Sequence, residues 1–250
     1  MAQFQLQIAG ETALVHSLFD STKDYFRPYL TENPPGFSIT VTRENLLFEQ
    51  SDLDDEARRE GFRLRKFTDP FLERSSIQRS FAEHLFDRDT LLFHGSAIAV
   101  DGQGYLFTAK SGTGKSTHTR LWREVFGARA VMVNDDKPFL RIGKEGITLH
   151  GSPWSGKHGL DANIAVPLYG ICVLERGTEN RIRPFSPEEA RPRLLHESYL
   201  PLDPQKKPRF QELVDSLSRA VPLWKMQCSK DPQAARTAYG AMSGTTNRLV

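Results

Sequence analysis

The centre of the chain reads Phe107-Thr108-Ala109-Lys110-Ser111-Gly112-Thr113-Gly114-Lys115-Ser116-Thr117-His118. An apolar stretch that ends at Thr108 leads into this segment, as a buried strand would. Leu121 and Trp122, followed by Val125 and Phe126, share one face of a predicted helix after it. Strand, glycine-rich loop and helix in this order are typical of a P-loop, whose backbone N–H groups surround nucleotide phosphates. The segment therefore predicts a nucleoside triphosphate site.

The residue types within the loop suit a phosphate ligand. Gly112 and Gly114 allow the backbone to approach a phosphate closely and to adopt unusual angles. Lys115 would reach the β- and γ-phosphates, and Ser116 would place its hydroxyl on Mg²⁺. Ala109 stands where the full pattern has its first glycine, a change that strand geometry tolerates. The expected nucleotide contacts are Ser111, Gly112, Thr113, Gly114, Lys115, Ser116 and Thr117. The alternative is a plain glycine turn.

A pair of acidic residues follows the next predicted strand. Residues 130–133 are apolar, and Asp135 and Asp136 lie at the end of this stretch. In a P-loop fold this strand end lies near the phosphates, so a carboxylate there can bind the Mg²⁺ that Ser116 also binds. The second carboxylate can accept the proton of an attacking hydroxyl. The sequence leaves open which aspartate has which role, and a solvated acidic turn is the alternative.

The order of apolar segments indicates an α/β fold. Asp101-Gly102 separates two apolar runs and predicts a tight hairpin in front of the loop. Residues 91–250 are expected to form a P-loop nucleotide-binding domain, and residues 1–90 an α+β region that binds substrate or a partner. Within that region residues 76–85 have apolar side chains at helical spacing, whereas the charged segment 51–70 is interpreted as a solvated loop or strand-edge insertion.

A second glycine-rich segment, residues 151–159, lies between two predicted strands. One interpretation is a tight structural loop in which Trp154 is packed. The other is a loop over the γ-phosphate, in which Lys157 supplies positive charge as an arginine finger does in other P-loop enzymes. Farther on, Glu175-Arg176-Gly177 is interpreted as a surface turn at a strand end, with low functional weight.

Composition and charge exclude several classes of partner. The 250 residues carry a formal net charge of +2 with the positive charges scattered, so neither nucleic acid nor a membrane is expected as a partner. The N-terminal residues lack a basic segment followed by a long apolar run, and a cytoplasmic location is therefore expected. Cys172 and Cys228 are far apart and flanked by apolar residues, which favours buried free thiols over a redox role.

Three separated elements occur in order along the chain: His94-Gly95, the loop from Ser111 to Ser116, and Asp135-Asp136. Together they resemble the catalytic core of HPr kinase/phosphorylase, over roughly residues 90–175. That family phosphorylates a serine on a small carrier protein and shares its nucleotide-binding fold with ATP-dependent phosphoenolpyruvate carboxykinase. The resemblance implies a fold of this type, a kinase activity, and a place for His94 near the γ-phosphate or the acidic pair. The alternative for His94 is a core histidine at a strand end.

The chain also departs from that family in two places. Thr117 stands where the family's loop usually has an acidic residue. The segment from His150 to Lys157 lies where the family has a Glu-x-Arg-Gly phrase, and it contains no clear counterpart of that glutamate and arginine. The carrier protein and the phosphorylase reaction are therefore not carried over to this chain.

The combined expectation is an ATP- and Mg²⁺-dependent kinase. It would transfer the γ-phosphoryl group to a hydroxyl of the serine type, in a peptide, a protein or a small molecule. The expected catalytic residues are His94, Lys115, Asp135, Asp136 and Lys157, and the expected metal ligands are Ser116, Asp135 and Asp136. Two alternatives stay open: a non-catalytic ATP-binding regulatory protein, and a carboxykinase-type enzyme, for which the chain is short. Because the carrier kinases assemble as oligomers, the resemblance also favours a homo-oligomer.

Overall fold

The structure divides into two compact units. A computed structural model describes residues 2–244, and the first unit ends at Leu85 while the second begins at Phe86. Each unit has its own sheet and its own helices.

The first unit contains a three-stranded sheet. Strand β1 (Ala2–Ile8) pairs antiparallel with β2 (Glu11–Ser17), and β3 (Phe37–Thr40) pairs parallel with β2. The helices are α1 (Asp20–Tyr25), α2 (Arg43–Glu60) and α3 (Asp69–Phe86). The predicted helix over 76–85 is confirmed within α3, because Ile77, Phe81 and Leu85 are all buried on one of its faces. Phe81 packs edge-on against Phe37 of β3.

The charged segment 51–70 is not the loop that the sequence analysis expects. Its first half belongs to α2, which ends at Glu60 and is followed by Gly61 in the left-handed conformation. Thr42 and Asn45 begin the helix with a capping box, in which each side chain accepts a hydrogen bond from the other's backbone N–H. Charged residues suit an exposed helix of this kind, since oppositely charged side chains such as Asp55 and Arg58 pair three positions apart.

The second unit is an α/β fold built on a nine-stranded sheet. Seven strands follow in the order β4 (Thr90–Leu92), β8 (Phe139–Gly143), β9 (Gly146–His150), β10 (Ala165–Arg176), β6 (Gln103–Thr108), β5 (Ser96–Val100) and β7 (Ala130–Asn134). Strand β12 (Leu223–Cys228) also pairs with β10, and β11 (Arg181–Pro184) pairs with β12. The helices are α4 (Lys115–Phe126), α5 (Pro187–Glu197), α6 (Lys207–Ala220) and α7 (Gln233–Met242). Within residues 2–244, no helix is long and apolar enough to cross a bilayer.

Alternate residues of the central strands are buried against different helices. Ala97 and Ala99 of β5 lie in a core cluster with apolar residues of α5 and α6. Ile98 and Val100, which alternate with them, lie in a second cluster with residues of α4 and α7. Successive side chains of a strand point to opposite faces, so the central sheet is covered by helices on both sides.

The pairing register brings several strand ends to one edge of the sheet. Ser96, the first residue of β5, pairs with Phe107 near the end of β6, and Ala97 pairs with Asn134, the last residue of β7. Because β5 runs antiparallel to both neighbours, its start lies at the same edge as their ends. Strand β10 runs parallel to β6 with Val173 beside Thr108, so its C-terminal end also reaches this edge.

The elements around the glycine-rich segment follow the sequence prediction. Asp101 and Gly102 join β5 to β6 with φ angles of 51° and 78°, the positive values that a two-residue hairpin of this class needs. Helix α4 begins at Lys115, directly after the segment, and Gly127 follows its last residue. The predicted strand, loop and helix therefore all form.

Candidate active site

The glycine loop, residues 109–114, joins the end of β6 to the start of α4. Gly112 and Gly114 have φ angles of 71° and 123°, which residues with a Cβ rarely adopt. The Thr113 N–H donates to the Lys110 carbonyl over 3.1 Å and closes a turn within the loop. Gly114 is the N-cap of α4 and has no side chain to cap the first turn. The first N–H groups of the helix are therefore suited to an anion.

Lys115, the first residue of α4, reaches back across the loop. Its ammonium group donates to the Ala109 carbonyl over 3.4 Å. Burial lowers the pKa of Lys115, whereas the nearby carboxylates of Glu197, Asp136 and Asp135 oppose that change. Lys115 is therefore a partly buried cation close to these carboxylates, at the positive end of a helix.

Asp135 is buried and connected to α4 through hydroxyl groups. Its Oδ1 accepts a hydrogen bond from the Ser96 hydroxyl over 2.6 Å, and that hydroxyl lies 2.8 Å from the hydroxyl of Thr119. Because Ser96 gives its one proton to Asp135, the Thr119 hydroxyl is the donor in this second contact, and it also lies 3.3 Å from the Ser116 carbonyl. These contacts fix the Asp135 carboxylate relative to the helix that begins with Lys115 and Ser116.

His94 lies between two carboxylates. Its Nδ1 is 2.8 Å from Glu197 Oε2, and its Nε2 is 3.4 Å from Asp136 Oδ1. The backbone supports both contacts, because the His94 N–H donates to the Glu197 carbonyl over 2.7 Å and the Gly95 N–H donates to the Asp136 carbonyl over 3.0 Å. An ionised carboxylate can only accept, so the contact with Glu197 places a proton on Nδ1. The other nitrogen of the imidazole then faces Asp136.

Glu197, the last residue of α5, is almost completely buried. Burial alone would raise the pKa of Glu197, but hydrogen bonds from His94 and Arg193 outweigh it and lower the pKa to about 2. The Arg193 guanidinium donates to Oε1 over 2.8 Å. Glu197 is therefore ionised at neutral pH, even though the C-terminal end of a helix disfavours negative charge.

Asn134 holds the acidic turn in place. Its side-chain oxygen accepts from the N–H groups of Asp136 and Lys137 over 2.7 and 2.5 Å. Its side-chain nitrogen donates to the Ser152 carbonyl over 2.7 Å. An asparagine that binds the backbone two and three residues ahead stabilises a turn of this kind. The turn that carries Asp136 is thereby tied to the second glycine-rich segment.

The second glycine-rich segment, residues 151–159, passes beside Asp136. A Cβ atom added at Gly156 would lie 3.4 Å from the Asp136 Cβ, so the backbone is close to this side chain. Lys157 and His158 follow in a short, exposed 3₁₀ turn. Trp154 is buried, as a structural loop requires, while the backbone at Gly156 approaches a carboxylate of the site. The packing of Trp154 agrees with the first interpretation, and the role of Lys157 at the γ-phosphate stays a prediction.

Arg176, the last residue of β10, contacts the glycine loop from the neighbouring strand. Its guanidinium donates to the Gly112 carbonyl, and also to the Thr113 carbonyl over 3.4 Å. The end of β10 therefore adjoins the loop. The sequence alone gives no sign of this contact, and the low functional weight expected for residues 175–177 stays a prediction.

Most of the predicted site residues lie around the start of α4. Residues 111–117 form the loop and the first turn of the helix. Asp135 and Asp136 lie close enough to Lys115 to influence its pKa, and His94 contacts Asp136. Lys157 lies on the second glycine-rich segment. The sequence does not predict a place in the site for Ser96, Thr119, Arg176, Arg193 or Glu197. For Glu197 one signal exists: Ser186-Pro187-Glu188-Glu189 is a typical helix start and predicts α5, at whose end this glutamate lies.

The oxygen atoms of the site suit Mg²⁺ bound together with a nucleotide. Ser116, Asp135 and Asp136 offer hydroxyl and carboxylate oxygens, the ligand types that Mg²⁺ prefers. Among the described residues, no group of three or more histidine, cysteine or carboxylate side chains could hold a metal ion. Mg²⁺ commonly uses one or two carboxylates and completes its shell with water and substrate phosphates. The donor set therefore fits a cation that arrives with phosphate.

Comparison with known proteins adds a distant structural likeness. No family model matches the chain, and no curated protein matches it. Among solved structures, it is similar to the Hpr(Ser) kinase/phosphatase from Coxiella burnetii, with a TM-score of 0.39 and 12% identity. The likeness covers 62% of this chain and 98% of the other. A TM-score of this size indicates a distant structural relationship only, so the roles of the residues rest on their own geometry.

Proposed function

We propose that the chain is an ATP- and Mg²⁺-dependent kinase with a P-loop fold of the HPr kinase type, which transfers the γ-phosphoryl group to a hydroxyl acceptor. The observation that supports it is the position of Asp136. Its carboxylate contacts His94 and lies close enough to Lys115 to act on the lysine's pKa. A carboxylate that could accept a proton therefore lies near the residue that we expect at the γ-phosphate. A protein that only binds ATP needs the loop and Lys115, but it does not need a carboxylate in contact with an imidazole.

The glycine loop and the first turn of α4 would bind the phosphates of ATP. The N–H groups at the start of α4 would donate to phosphate oxygens, with residues 111–117 surrounding them. The Lys115 ammonium would exchange its contact with the Ala109 carbonyl for the β- and γ-phosphate oxygens. The burial of Lys115 strengthens this attraction, because water screens a buried charge less.

The two aspartates would divide the work of metal binding and proton transfer. Mg²⁺, when bound, neutralises the phosphate charge, and Ser116, Asp135 and Asp136 offer its ligands. Asp135 suits the metal better than the proton, because Ser96 and Thr119 hold it in a buried position. The Asp136 side chain is 34% exposed and is therefore open to an acceptor.

Asp136 would take the proton of the acceptor hydroxyl. As the hydroxyl oxygen bonds to the γ-phosphorus, the bond from that phosphorus to the ADP oxygen breaks, and the proton passes to Asp136. The Nε2 atom of His94 can then accept a hydrogen bond from the protonated Asp136, because the imidazole keeps its own proton on Nδ1, which donates it to Glu197. Lys157 would add positive charge at the γ-phosphate from the second glycine-rich segment.

The test measures the transfer of the γ-phosphoryl group from ATP to an acceptor. Purified protein is incubated with Mg²⁺ and γ-labelled ATP, with serine-containing peptides, cell-extract proteins and small hydroxyl compounds as acceptors. We expect label on a hydroxyl oxygen, a loss of roughly 100-fold or more in transfer for Asp136→Asn with ATP still bound, and loss of ATP binding for Lys115→Met. Asp101→Asn and Lys144→Met are matched controls, because both residues are exposed in turns of the same unit.

Three other results would contradict the proposal. If Mg-ATP binds but no acceptor receives label, the chain is better described as an ATP-binding regulatory protein. If ATP is consumed only with decarboxylation of a small dicarboxylate, the chemistry is of the carboxykinase type. Failure of the wild type to bind Mg-ATP would remove the basis of all three descriptions.

A further inference from the structure

We infer that Arg176 is a positioning residue of the glycine loop, which it holds in the conformation that receives phosphate while making no phosphate contact itself. The inference rests on the proposed binding of ATP. Its basis is the pair of hydrogen bonds from the Arg176 guanidinium to the Gly112 and Thr113 carbonyls. These carbonyls belong to the part of the loop that contains its two glycines with positive φ.

Arg176 acts from a well-anchored backbone. It pairs with Cys228 of β12, and the N–H of the next residue, Gly177, donates to the Cys228 carbonyl over 3.1 Å. On the other side of β10, the pairing of Val173 with Thr108 fixes its register against β6, the strand that leads into the loop. A side chain on a paired strand is held more precisely than one on a loop. Arg176 therefore offers the loop a fixed point outside itself.

Holding the two carbonyls also orients the N–H groups of the same peptides. A trans peptide is planar, and its C=O and N–H point in opposite directions. When the Thr113 carbonyl faces Arg176, the Gly114 N–H must point to the other side of the loop. The Gly112 carbonyl shows the same relation, because the N–H of that peptide, on Thr113, donates away from Arg176 to the Lys110 carbonyl.

The loop needs such a restraint because of its glycines. Gly112 and Gly114 lie on either side of Thr113, and glycine allows a peptide to rotate where other residues would clash. Without Arg176 the peptides next to Thr113 would adopt several orientations, and a phosphate would have to select one of them. The expected effect of losing Arg176 is therefore weaker nucleotide binding with an intact fold.

The experiment measures nucleotide affinity and thermal stability separately. The full-length wild type, Arg176→Ala, Arg176→Lys and Arg181→Ala are titrated with Mg-ATP by a fluorescent-nucleotide competition assay, and each is melted without nucleotide. We expect Arg176→Ala to raise the Kd for Mg-ATP about tenfold, with its melting temperature unchanged. Arg176→Lys should recover part of the affinity, because an ammonium group can still donate to one carbonyl. Arg181 is the control, an exposed arginine of β11 whose ion pair is with Glu179.

The possible outcomes separate this inference from the proposed function. Equal affinity of wild type and Arg176→Ala would overturn the role of Arg176 and leave the kinase proposal standing. A fall in melting temperature that accounts for the loss of affinity, without rescue by lysine, would also overturn it, since the role would then be structural. If the wild type itself does not bind Mg-ATP, the proposed function fails first, and the inference fails with it. Where an acceptor is available, KM for ATP should rise in Arg176→Ala while kcat stays within about twofold.

Discussion

At the scale of single residues, His94 connects the two ends of the candidate site. Glu197 orients its Nδ1, and Asp136 meets its Nε2. Because Nδ1 carries the proton that faces Glu197, Nε2 can accept a hydrogen bond from Asp136 once that carboxylate has taken a proton from an acceptor. Glu197 also affects the stability of the fold, because it is a buried charge that is stabilised by its hydrogen bonds.

Glu197→Gln is expected to lower the free energy of unfolding in a pH-dependent way. The pKa of Glu197 is about 2 in the fold, below its ordinary value of 4.5, so the unfolded state binds a proton first as the pH falls. The stabilisation is therefore fully present above pH 4.5 and is lost as the pH falls toward 2. We expect a cost of roughly 2–3 kcal/mol at pH 7 that shrinks below pH 4.5. Urea unfolding of both proteins over a pH series measures it, and a difference that stays constant into the acid range would contradict the prediction.

Lys157→Ala tests whether the second glycine-rich segment takes part in the reaction. A positive charge that stabilises the transferring phosphoryl group acts on the transition state, so we expect kcat to fall roughly tenfold or more with little change in ATP affinity. His158→Ala is the matched control, since its residue is the exposed neighbour in the same turn. If Lys157→Ala keeps full turnover while Lys115→Ala abolishes it, the segment has a structural role only.

At the scale of elements, local chemistry decides what the sequence can predict. The Asp101-Gly102 hairpin and the loop before α4 can be predicted, because their residue types are typical of these two local structures and of few others. Helix α2 is not predicted, because its many charged residues are as typical of a loop as of an exposed helix. The contact of Glu197 with His94 has no local signal, because it depends on how the end of α5 packs against a residue far away in the sequence.

Gly151 is expected to be indispensable to the segment that starts at the end of β9. An added Cβ would lie 1.8 Å from the Ala162 carbonyl oxygen and 2.8 Å from that of Val133, and both are backbone atoms that a rotamer change cannot move. Gly151→Ala should therefore cost more than about 3 kcal/mol in unfolding free energy. At Gly143 the nearest atom to an added Cβ is 3.3 Å away, so Gly143→Ala should cost about 1 kcal/mol or less. Equal stability of the two variants in urea unfolding would show that the segment shifts freely.

At the scale of the whole molecule, the residues of the candidate site belong to the second unit. They extend from His94 to Glu197, while the first unit ends at Leu85. The second unit also has its own apolar core on both faces of its sheet, and Phe86 belongs to that core. Nucleotide binding is therefore expected to depend on residues from 86 onward. The first unit is expected to bind the acceptor or a partner.

A fragment of residues 86–250 separates these two roles. A domain with its own core can fold alone, so we expect cooperative unfolding of the fragment and a Kd for Mg-ATP within about threefold of the full chain. If the first unit binds the acceptor, the fragment should bind ATP normally but transfer phosphate to the acceptor far more slowly, with a raised KM for that acceptor. Circular dichroism establishes that the fragment is folded before either assay. A folded fragment that phosphorylates the acceptor as well as the full chain would contradict a substrate-binding role for residues 1–85 and would leave them to another partner.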